Sequence, residues 1–182
     1  KPQSDTYTYD PRDASRLVDF AMEPTCVEPD RQPDGAPVLV YRSAPFADPV
    51  ELAGFFRLQV WISIDQPDTA LKVSVHEVRS EGSSILLSTD LKRARFRADA
   101  RKETPIATTE PLLYDFDSFT FVARRLEAGS HIKLVIGAPD GVESQRSYNS
   151  DRPLAEECLA DARPVKVRVY HGGRFRSALL AP

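Results

Sequence analysis

Three histidines, His76, His131 and His171, are the imidazoles this sequence offers for proton transfer or metal ligation. Each falls in or beside a stretch that reads as a β-strand, and none has a nucleophile or second ligand at motif spacing. The Gly-x-Ser-x-Gly that sets a serine on the sharp turn of an α/β-hydrolase occurs nowhere. His-Glu-x-x-His, paired Cys-x-x-Cys and calcium-loop patterns are equally missing. The sequence therefore predicts no catalytic residue, no metal site and no cofactor site. The acidic group Asp151, Glu156, Glu157 and Asp161 reads as a solvated loop and helical face rather than a calcium site.

Two further constellations invite chemistry. In Lys92-Arg-Ala-Arg-Phe-Arg97, the spacing predicts a strand with Arg93, Arg95 and Arg97 on one face. Such a strip could hold phosphates. It could equally pack over neighbouring carboxylates or guard a sheet edge, and in an acidic protein that second reading is preferred. Trp61 could form a sugar-binding platform if exposed, or could pack beneath a loop; an independent carbohydrate-binding module is therefore the alternative function.

The elements that must carry these residues are strands. In Gly54 to Ile64, the residues Phe56, Leu58, Val60, Ile62 and Ile64 share one face, while Arg57, Gln59 and Ser63 point the other way. A period of two is the mark of a half-buried strand. Leu71–Val75 repeats it, and Ser80–Ser83 reads as a hairpin turn into Ile85–Leu87. Strands are also predicted at Thr6–Tyr9, Val38–Tyr41, Ala94–Arg97, Tyr114–Ala123, His131–Ile136, Val165–Tyr170 and Ala178–Leu180. Leu154–Ala162 is long enough for two helical turns. Many short strands punctuated by turn residues predict an all-β sandwich.

Residues 1–37 are polar and rich in proline, which predicts an extended leader or linker, with the sandwich occupying 38–182. The chain of 182 residues is long enough for one domain with a full core. A net charge of −3 gives no basic field for nucleic acid or anionic membrane. No apolar run reaches membrane-spanning length. Cys26 and Cys158 stand far apart, read as free thiols, with one long-range disulfide as the alternative. That usage leans toward a cytoplasmic location.

An ordered set of short segments resembles the C-terminal domain of the CocE/NonD hydrolase family of esterases and X-Pro dipeptidyl-peptidases. The segments are Asp5-Thr-Tyr-Thr-Tyr-Asp-Pro11, Val40-Tyr-Arg-Ser-Ala-Pro45, Asp65-Gln-Pro-Asp-Thr69, Arg93-Ala-Arg-Phe-Arg97, Ala128-Gly-Ser-His-Ile-Lys-Leu134, Ser144-Gln-Arg-Ser-Tyr-Asn-Ser150 and Val169-Tyr-His171. Ala70 and Gly172-Gly-Arg-Phe-Arg176 depart from the family pattern. The resemblance implies a jelly-roll β-sandwich, galactose-binding-like in fold. It also implies an upstream α/β-hydrolase domain in the same polypeptide that supplies the catalytic triad. The domain would then stabilise that partner, shape its cleft or support a homo-oligomer. The resemblance puts the leader and the Gln145–Ser150 loop nearest the catalytic domain, so Tyr7, Tyr9, Tyr148 and Asn149 are the expected interface.

Overall fold

The structure is a computed structural model that describes residues 3–13, 28–29, 37–139 and 145–182. Twelve strands are described: β1 Gln3–Tyr9, β2 Glu28–Pro29, β3 Val38–Arg42, β4 Val50–Gly54, β5 Arg57–Ile64, β6 Ala70–Val78, β7 Ser83–Arg93, β8 Leu112–Phe116, β9 Val122–Leu126, β10 His131–Gly137, β11 Val165–His171 and β12 Ala178–Leu180. One sheet runs β1-β11-β5-β12, with β8 on the other edge of β5; the facing sheet runs β2-β7-β6-β10-β3. Strands β4 and β9 form a separate antiparallel pair. Every pairing is antiparallel, and the whole is a jelly-roll β-sandwich.

The alternation written in the sequence builds the core. Leu58, Val60, Ile62 and Ile64 of β5 meet Leu71, Val73 and Val75 of β6 and Val165, Val167 and Val169 of β11 in one buried cluster. Full burial of each such side chain contributes about 1.5–3 kcal/mol, which holds the two sheets together.

Several sequence expectations are refined here. The leader boundary at residue 37 does not hold for its first part. β1 pairs along its whole length with β11, from Gln3 opposite His171 to Tyr9 opposite Val165, so the sandwich begins at residue 3. The strand expected from Gly54 to Ile64 begins at Arg57, because Gly54 is the last residue of β4 in the separate pair. Gly54 takes φ +146°, and a side chain there would lie 2.8 Å from Pro182 Cβ, so the chain turns past Pro182 at a position suited to glycine. Tyr114–Ala123 likewise divides into β8 and β9. Ala94–Phe96 is a 3-10 turn rather than a strand, for a reason found in its charged partners. The stretch 154–162 forms two single 3-10 turns, Leu154–Glu156 and Leu159–Asp161.

Candidate functional site

The arginine segment closes one end of the sandwich as a buried charge cluster. Asp68, on the β5–β6 loop, is fully buried and accepts from the Arg95 backbone N–H (2.9 Å), Arg95 Nε (2.8 Å) and Arg93 Nε (2.8 Å). Its grip on a backbone amide as well as two guanidinium groups is what turns Ala94–Phe96 out of strand geometry. Arg95 is 1% exposed and also donates to Glu103 (3.0 Å) and to the carbonyls of Arg152 (2.8 Å) and Ser150 (2.7 Å). Glu157 joins from the other side, 3.1 Å from Arg93 and accepting from Ser150 Oγ at 2.7 Å, with its own side chain fully buried. Glu157 is therefore not part of a solvated face. Arg93 and Arg95 are directed inward onto carboxylates while Arg97 donates to the Leu113 carbonyl (3.2 Å), so the three do not form one exposed strip. Among the described residues no group of three or more His, Cys, Asp or Glu could hold a metal ion.

At the opposite end an apolar cleft of about 660 Å³ opens between the sheets. Its walls include Phe56, Leu58, Val60, Leu134, Ile136 and Val169, and its rim carries Asp5, Tyr41 and His171. Asp5 Oδ2 accepts from Tyr41 Oη (3.1 Å) and lies 2.8 Å from His171 Nε2, so the first and last long strands meet through one carboxylate. Burial and the Asp5 carboxylate push the Tyr41 phenol well above its ordinary range, which keeps it a hydrogen-bond donor. A His–Asp pair needs a hydroxyl nucleophile to do acyl chemistry. The rim hydroxyls are committed elsewhere: Ser43 donates to the Ala44 carbonyl, and Ser177 donates to the Tyr170 carbonyl while accepting from the Trp61 backbone N–H. The cleft can hold an apolar group. Among the described residues its rim hydroxyls, those of Tyr41, Ser43 and Ser177, are all engaged in hydrogen bonds.

A constellation that sequence spacing did not reveal lies on the second sheet. Ser84 Oγ accepts from Lys133 Nζ (2.9 Å) and sits 3.4 Å from His76 Nδ1. The three residues come from β7, β10 and β6, and only the strand register could have found them. Ser84 and Lys133 are 7% and 6% exposed. Ser84 is paired on both edges, with Val78 and with Glu28, so nearby backbone amides serve the ladder and do not form an oxyanion hole. The trio is a satisfied polar patch.

Trp61 is half-buried. Its ring lies 5.2 Å from Phe175, which also contacts Tyr170 at 5.3 Å, so the indole packs beneath the loop that follows β11. The expected interface residues divide. Tyr7 and Tyr9 turn into the core and Asn149 is fully buried, its amide donating to the Arg163 carbonyl (2.7 Å); Tyr148 alone of the four is half-exposed. Because alternate residues of β1 face the core, its tyrosines are spent on the sandwich itself. Cys158 is exposed, its thiol donating to Asp161 at 3.3 Å, and Cys26 lies outside the described residues. No described helix is long and apolar enough to cross a membrane.

Comparison with known proteins agrees with this architecture. Cocaine esterase of Rhodococcus sp. (strain MB1 Bresler) is 23% identical over 184 residues, which is 98% of this chain and 32% of that protein. An aminopeptidase from a marine sediment archaeon, Thaumarchaeota archaeon, superposes with a TM-score of 0.86 at 20% identity, over all of this chain and 33% of the other. An α-amino acid ester hydrolase gives 0.82 at 20% identity, over 98% and 32%. A CocE/NonD family hydrolase from Staphylococcus aureus gives 0.66 at 16%, over 99% and 33%. The chain thus spans about a third of the length of the proteins it matches. The family model for the X-Pro dipeptidyl-peptidase C-terminal non-catalytic domain matches residues 1–179, and the chain belongs to that family.

Proposed function

We propose that this domain is the non-catalytic accessory part of a serine hydrolase of the esterase or X-Pro dipeptidyl-peptidase type. In this reading it packs against an upstream α/β-hydrolase domain and helps shape that domain's substrate cleft. The observation that carries the reading is the proportion just described: nearly all of this chain corresponds to only a third of each hydrolase. The contacts among the described residues are compatible with it: Ser84, beside His76 and Lys133, is paired on both edges of its strand, and the cleft-rim hydroxyls of Ser43 and Ser177 are engaged by backbone groups. No observation favours a carbohydrate platform, because the Trp61 face is occupied by Phe175.

Incubating the 182-residue chain with activated acyl esters and a serine-directed fluorophosphonate tests this directly. No turnover and no labelling are expected, while the longer polypeptide should label at one serine outside these residues. Stoichiometric labelling of a serine in this chain would overturn the proposal, and Ser84 is where it would be sought first.

A further inference from the structure

The register of the first sheet shows from which side the chain enters the sandwich. Gln3 lies opposite His171 on β11, and Tyr170 lies opposite Trp61 on β5, so Gln3 is level with Val60, and β1, antiparallel to β11 as β11 is to β5, runs in the same direction as β5 and comes in from the side on which β5 begins. Phe55 immediately precedes that start. With strands about 4.8 Å apart and about 3.3 Å per residue, Gln3 and Phe55 are separated by about 20 Å. The Gln145–Ser150 loop is at the other end: Arg146 donates to the Pro11 carbonyl beyond the far terminus of β1.

The near end also carries an exposed aromatic pair. Phe55 and Phe121 are 61% and 60% exposed and meet edge to face at 5.4 Å and 80°. They are held rigidly, because Gly54 pairs with Val122 at the end of the β4–β9 ladder and packs against Pro182. Leu180, on β12 opposite Arg57, is 50% exposed at the same end. Two fixed rings beside an aliphatic side chain have the make-up of an interface centre: large apolar area at little cost in side-chain entropy.

We infer that this end, centred on Phe55 and Phe121, is the surface that receives the upstream domain. The inference rests on the proposed accessory role and adds the residues that form the contact. The relatives are about three times as long as this chain, so the remaining body is about twice its size. A globular body of that size has a radius of gyration of about 20 Å. Tethered at Gln3, it reaches Phe55 and Phe121 without a linker. The occupant is thus a folded domain presenting an apolar recess, joined to this chain through its first residues.

Hydrogen exchange on the longer polypeptide, compared with the 182-residue chain, tests the assignment. Amides of 54–56 and 119–123 should exchange at least tenfold more slowly in the longer protein. The double variant F55S/F121S should return those rates toward the short chain's, whereas Leu159→Ser, at an exposed position on a different loop, should not. If the longer protein hydrolyses its esters and protection falls on another face, the accessory role stands and this surface is wrong. Protection nowhere on the domain would sink both. Protection of the phenylalanines that fades on dilution would mean a second copy covers them, and would overturn the inference as well.

Discussion

Replacing Arg95 by Met keeps most of the side-chain volume while removing the charge at the centre of the buried cluster. Asp68, with no exposed side-chain surface, would lose its bonds to Arg95 Nε while keeping the backbone amide and Arg93. Glu157 would lose its 3.7 Å ion pair with Arg95 and keep the Ser150 hydroxyl and Arg93, whose side chain is 14% exposed. The carbonyls of Ser150 and Arg152 would each lose a donor. Removing one partner of a buried ion pair costs about 3–5 kcal/mol, because the remaining charge stays desolvated. For a domain of this size that corresponds to a loss of roughly 6–20 °C in midpoint temperature. Urea unfolding of R95M, with the slope checked against the unmodified chain, measures it. Arg101→Gln, at an exposed position of the following loop, should stay within about 0.5 kcal/mol. A cycle adding Asp68→Asn should reveal coupling of about 1–3 kcal/mol, since the two side chains touch. If R95M costs less than about 1 kcal/mol, the cluster is hydrated in solution and the burial argument fails.

Two other outcomes follow from the packing. Burial raises the phenols of Tyr7, Tyr9, Tyr41 and Tyr114, so their neutral forms contribute stability that is fully present below the unfolded value of about 10 and lost as pH rises above it. An alkaline titration followed by phenolate absorbance and circular dichroism should show these four ionising only with unfolding; complete ionisation of all six tyrosines in a folded sandwich would refute this. Phe175→Ala should cost about 3 kcal/mol and red-shift the emission of Trp61, the one tryptophan, with an unchanged spectrum counting against the stacked loop.

Residues whose structure depends on their neighbours in sequence could be read directly. The alternation in β5 and the turn at Ser80–Ser83 placed a central strand and the β6–β7 hairpin, and Ala178–Leu180 emerged with its expected bounds. What failed depended on distant partners. Arg93 to Arg97 has the period of a strand, yet a carboxylate 27 residues earlier captures the Arg95 amide and turns the backbone. Tyr7 and Tyr9 read correctly as one face of a strand, but nothing local says whether that face meets the core or another domain. The Ser84, His76 and Lys133 contact needed three strands in register. The exposed pair Phe55–Phe121 was hidden for the same reason: an apolar residue at a strand boundary looks like core until the sheets are assembled.

The pairing of β1 with β11 also sets an order of events during synthesis. The first described strand finds its neighbour only after more than 150 further residues have been made. At ordinary elongation rates that is a wait on the order of ten seconds. Throughout it, a segment with tyrosines on one side and polar side chains on the other has no sheet to join. Closing so long a loop is entropically costly and slow, so edge docking of β1 belongs late in folding. A polypeptide stopped a few residues before Val165 would hold most of the second sheet yet lack the strand that receives β1. Such a product would present Tyr7 and Tyr9 to quality-control proteases, which would make synthesis through β11 the condition for keeping β1 intact.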